Sequence, residues 1–89
     1  MKAVITVIGK DRVGIIYSVS DILAKANINI LDISQTIMQD IFTMIMLVDI
    51  SKCEDHFAEI SKSLEDLGTE LGLSIRIQHE DIFNSMHRI

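Results

Sequence analysis

Along this chain the spacing of apolar residues switches between every second position and every third or fourth. That switching limits the fold more than any other feature, because a strand and a helix bury different faces. Lys2 to Ile8 is rich in Val and Ile and ends at Gly9, as a strand does. Over 15–26 the period changes: Ile15, Ile16, Val19, Ile22, Leu23 and Ala26 fall on one face of a helix. Asp21 and Lys25 form an acid-then-base i,i+4 pair on its outer side, worth roughly 0.3 kcal/mol, and Asn27 is placed as a left-handed stop.

Two strand-like runs follow, Asn29–Met38 and Ile41–Ile50, joined by a short Gln39-Asp40 break that predicts a hairpin although it lacks a glycine. In the first run Leu31, Ile33 and Ile37 share one face, with Asp32, Ser34 and Thr36 on the other. In the second, Phe42, Met44, Met46 and Val48 oppose Ile41, Ile45 and Leu47, so both faces are apolar, as in a central strand. Ser51 and Glu54 have capping-box spacing. Behind them Cys53, Phe57, Ile60, Leu64, Leu67 and Leu71 mark a second helix ending near Gly72. Gly68 inside it costs about 1 kcal/mol relative to alanine, which predicts a loose last turn. Leu73–His79 alternates apolar and polar, as an edge strand does. The tail, 80–89, repeats a helical pattern through Ile82, Phe83, Met86 and Ile89; so short a helix must pack on something.

The order strand, helix, strand, strand, helix, strand predicts an α+β fold. It is the ferredoxin-like βαββαβ sandwich, an antiparallel four-stranded sheet with two helices on one face and a short C-terminal helical tail. Strands one and three then lie centrally. With no proline, linker or low-complexity stretch, residues 1–89 read as a single domain. A chain of 89 residues buries only about 60–65% of its unfolded surface, yet 48% of this one is hydrophobic. The helices cover one sheet face while the central strands carry apolar side chains on both. A second subunit, the apolar tail or both are expected to cover the open face, which predicts a homodimer or higher assembly.

The formal charge of −5 removes the electrostatic contribution to phosphate-backbone binding, so nucleic acid is not an expected direct partner. The first apolar stretch is too short for a membrane span and has no small-residue cleavage site. A single cysteine, Cys53, forms no internal disulfide. The expectation is a cytoplasmic protein.

The stretch Gly9-Lys10-Asp11-Arg12-Val13-Gly14-Ile15 joins the first strand to the first helix. Two glycines opening into a helix N-terminus present unpaired N–H groups and partial positive charge, suited to a carboxylate or another anion. The same residues serve equally as a plain turn with Asp11 as its cap. The glycine pattern is neither a Walker nor a dinucleotide motif, and no cofactor is expected.

Gly9–Ile15, followed by Ala26-Asn27-Ile28-Asn29-Ile30, resembles the ACT domain. The ending Gln78-His79-Glu80-Asp81-Ile82-Phe83 and Met86-His87-Arg88-Ile89 is similar to a small bacterial and archaeal family of stand-alone ACT proteins. That family is related to the ACT modules of a glycine-cleavage-system transcriptional repressor. The resemblance implies the fold deduced above and a regulatory module binding an amino acid or similar effector between paired domains. By position it puts forward Asp11, Arg12, Gly14, Ile15 and Asn29 as ligand contacts. Two positions depart from the pattern: Val13 stands where many ACT domains have proline, and Gly9 where some amino-acid-binding members have a polar side chain.

Other constellations point away from chemistry. Cys53 and His56 have the spacing of two metal ligands on a helix, but a zinc site needs three or four converging ligands, so no metal is expected. Cys53 lies on the apolar phase of its helix, and Ser18 and Ser20 have no His nearby in sequence to act as base. No catalytic residue is assigned and the chain is read as a non-enzyme. Its expected partners are a second copy of itself, a small amino-acid-like ligand and a regulated protein. The alternative is an interaction or oligomerisation domain without a small-molecule ligand.

Overall fold

A computed structural model describes residues 1–82. The elements are β1 (Lys2–Lys10), α1 (Ile15–Lys25), β2 (Asn29–Met38), β3 (Ile41–Asp49), a 3-10 turn (Glu54–His56), α2 (Phe57–Leu71) and β4 (Leu73–His79). Residues 80–82 are helical; Phe83, Met86 and Ile89 of the expected tail lie outside the described residues.

The sheet order is β2-β3-β1-β4 and every pairing is antiparallel. This is the βαββαβ arrangement, with β1 and β3 central as the two-sided apolar pattern requires. Ala3, Ile5 and Val7 of β1, Met44, Met46 and Val48 of β3, and Ile75 of β4 form the inner layer of one core. Ile15, Val19 and Leu23 of α1 and Ile60 and Leu64 of α2 close it from the helix side. Among the described residues no helix is long and apolar enough to cross a membrane.

The helix ends show how local chemistry places each element. Gly14 precedes α1 at φ 92°, a left-handed conformation that favours glycine. Asn27 stops α1 at φ 62°, with the N–H of Ile28 reaching the Leu23 carbonyl at 2.9 Å. The Asp21–Lys25 pair closes at 3.0 Å. Gly72 ends α2 at φ 74°. In the hairpin Gln39 takes φ 57°, supplying the left-handed residue a glycine would otherwise provide, and Met38 pairs directly with Ile41.

Three expectations are corrected. The capping box does not form. Ser51 instead turns back to Asp49, the 3-10 turn intervenes, and α2 begins at Phe57 without a side-chain cap. The last turn of α2 is not loosened by Gly68: this residue is buried where the helix lies on β4. In β2, Leu31 does not continue the Ile33–Ile37 register. Ile30 pairs with Val48 and Asp32 with Leu47, so Leu31 is the extra residue of a bulge. Beyond it Ile33 and Ile37 pair with Met46 and Phe42 on the helix side, yet both stay exposed. The helix layer therefore leaves the β2 edge uncovered.

Candidate functional site

The loop between β1 and α1 is tied to two neighbours. The Asp11 N–H donates to the Asp40 carbonyl in the β2–β3 turn at 2.8 Å. The Arg12 guanidinium donates to the Leu71 carbonyl at the end of α2 at 3.3 Å. Asp11 thus does not cap α1, whose first turn has neither a side-chain cap nor an acidic residue. Its N-terminal N–H groups keep their partial positive charge for an anion. A Cβ on Gly14 would meet nothing within 4 Å, so glycine is needed there for its backbone angle and the space beside it is open.

Asp11, Arg12, Gly14 and Ile15 line a shallow cleft of about 340 Å³, with Ile16 and Tyr17 of α1, Gln35 and Ile37 of β2, and Phe42. Val13 projects beside it, 99% exposed. The cleft joins a carboxylate, a guanidinium, a helix N-terminus and an apolar floor, groups that match the two charges and side chain of an amino acid.

Asn29 is not part of that cleft. It pairs with Asp49, which pairs with Lys2, whereas Met38, Ile41 and Lys10 lie together at the loop end. The nine steps of β2 separate Asn29 from the loop by roughly 30 Å. Four of the expected contacts are brought together within one chain and the fifth stands at the opposite end of the edge strand.

Asn29 lines a second, polar cleft of about 440 Å³ with Asn27, Asp49, Ser51 and Lys52, which sequence reasoning missed. Asp49 organises it. Its Oδ1 accepts from the Ser51 hydroxyl at 2.5 Å and from the Ser51 N–H at 2.9 Å, and the Met1 ammonium lies 3.9 Å away. The hydroxyl bond, then the backbone bond, holds this carboxyl below the usual carboxylate range. The Asp-x-Ser spacing at 49–51, an Asx-type turn, was the available signal; its overlap with an apparent capping box hid it.

Cys53 is buried, its thiol donating to the Ile50 carbonyl at 3.4 Å, and burial pushes its pKa up, which suits a core residue. His79 stacks on Phe57 with ring centroids 4.4 Å apart. Among the described residues no three His, Cys, Asp or Glu converge as a metal set.

Comparison with known proteins gives four findings. A family model described as the ACT domain matches residues 2–78. A UPF0237 protein of Clostridium acetobutylicum is 62% identical over 89 residues, covering all of both chains. Among solved structures, an ACT domain protein from Streptococcus pneumoniae superposes with a TM-score of 0.80 at 42% identity, covering 93% of each chain. The ligand-free regulatory subunit of aspartate kinase from Thermus thermophilus superposes with a TM-score of 0.67 at 26% identity, covering 86% of this chain and 50% of that one.

Proposed function

Since the chain belongs to the ACT domain family, whose members are regulatory small-ligand-binding modules, we propose that it binds an amino acid or similar effector between two copies of itself. Asp11, Arg12, Gly14 and Ile15 of one copy form one wall, and the partner's Asn29 forms the other. The observation that carries this reading is the separation of Asn29 from the loop along an uncovered edge strand. Two β2 strands paired antiparallel about their midpoint put residue 29 opposite residue 38, because the paired numbers then sum to 67. Asn29 of each copy thereby arrives at the loop end of the other.

The roles follow from the chemistry of each group. The α1 N-terminus and Arg12 take the ligand carboxylate, while Asp11 and the Asn29 amide oxygen take its ammonium group. Ile15 and the apolar floor meet the side chain. A ligand held this way favours the assembled state by as much as it binds that state better, and the change in assembly is the regulatory signal to a partner protein. The exposed apolar edge also supports a second reading, an interaction or oligomerisation domain without a small ligand.

Titration calorimetry against the standard amino acids tests the first reading, since silence at millimolar concentration rejects it for these ligands. With a binder in hand, Asp11→Ala and Asn29→Ala each abolish the heat while leaving the circular dichroism unchanged. Mixing the two inactive variants restores binding, because a mixed pair contains one site with both residues intact. No recovery on mixing means that the residues do not share a site across copies.

A further inference from the structure

Beyond its charged end the loop cleft changes character. Asp11, Arg12 and the α1 N-terminus stand where β1 gives way to α1. The rest of the lining is Ile15, Ile16 and Tyr17 of α1, Gln35 and Ile37 of β2, and Phe42 of β3. Ile37 pairs with Phe42 and Gln35 with Met44, so both β2 side chains stand on the helix side of the sheet. Ile16, Ile37 and Tyr17 are 41%, 54% and 75% exposed, so apolar surface meets solvent here in the single chain. Among the described residues no charged side chain lines this part of the cleft. The next charges along α1, Asp21 and Lys25, are paired with each other at 3.0 Å.

We propose that the effector is an amino acid with an apolar side chain larger than alanine's, and that Ile16 and Ile37 select it. This rests on the amino-acid reading of the same cleft and narrows it. Volume sets the upper bound: about 340 Å³ lies at the small end of ligand pockets, room for one amino acid rather than a peptide. Chemistry sets the rest. With the α-carboxylate and ammonium held at the loop end, the ligand's side chain extends over Ile16 and Ile37, and each methylene it buries adds affinity. Glycine leaves that surface wet. An aspartate or lysine side chain would lose water there without meeting an opposite charge. Gln35 is neutral and exposed, so it supplies none.

Calorimetry of the full chain against the standard amino acids tests the selection. The tightest binder is expected among valine, leucine, isoleucine, methionine and phenylalanine, about tenfold or more above alanine. Ile16→Ala is expected to shrink that margin severalfold while leaving the affinity for alanine itself unchanged, and Ile37→Ala to shrink it likewise. A general disturbance of the fold would instead weaken both ligands alike; such a parallel loss in both variants, or an unmoved margin in both, overturns the assignment. A tightest binder outside the five overturns the selectivity while the amino-acid site stands. Silence from every standard amino acid removes the site and the selectivity together.

Discussion

Gly68 shows how two rules about one residue oppose each other and how distance decides between them. By helix propensity alone, alanine would stabilise α2 by about 1 kcal/mol. A Cβ at this position would sit 2.7 Å from the Leu73 carbonyl oxygen and 3.3 Å from the Ile75 backbone nitrogen. Backbone atoms of a paired strand cannot move aside as a flexible side chain can, and overpacking costs roughly 1–3 kcal/mol. Gly68→Ala is therefore expected to destabilise by about 1 kcal/mol net. A lower urea midpoint with an unchanged slope is the sign to look for, and a higher midpoint would show that propensity wins. Gly14 is constrained differently: the space beside it is open, and its positive φ is what an L side chain resists. Cys53 and Leu64 belong to the opposite class, buried because apolar and replaceable only by something of similar volume.

At the scale of elements, periodicity carried the reading because each strand and helix buries the face its spacing marks. Met44, Met46 and Val48 all turn to the helices, and Asn27 and Gly72 stop the helices in left-handed conformations. The strand order was legible, but the local register within it was not. Nothing in Ile30-Leu31-Asp32 announces a bulge, since the extra residue is defined only against β3. In a capping box the Ser51 oxygen would accept from the Glu54 N–H; instead the hydroxyl donates to Asp49 and its oxygen accepts from the Met1 ammonium. The loop at 9–15 was recognisable as a turn opening into a helix N-terminus, but the position of Asn29 depends on the direction of β2 in the sheet. The β2 edge is the element on which the proposed assembly turns. Ile33 is already exposed in one chain and lies outside the cleft lining, so Ile33→Lys leaves the isolated fold nearly unchanged. In the pair it removes apolar burial twice by symmetry, about 1.5 kcal/mol each. It is expected to weaken self-association roughly a hundredfold. Sedimentation velocity across a dilution series reads this directly, and an unaltered dissociation constant would exclude the β2 edge.

For the whole molecule, folding, assembly and ligand binding draw on one free energy. A chain this small has little internal stability in reserve, and assembly through the β2 edge would add to it only when copies meet. Melting temperature should then rise with protein concentration, as it does not for a monomer. Each copy carries −5, so pairing brings like net charges together; moderate salt, which screens beyond about 8 Å, should steepen the rise. An effector at a hundred times its dissociation constant adds about 2.7 kcal/mol per site. In a domain of this size that is roughly 10–20 °C of melting temperature. The two effects are coupled: a ligand shared between copies shifts the melt of wild type but has little to hold in Ile33→Lys at dilute concentration. A full ligand shift in that variant, measured where sedimentation shows only monomer, would place the whole site within one chain. The partner's Asn29 would then have no part in it.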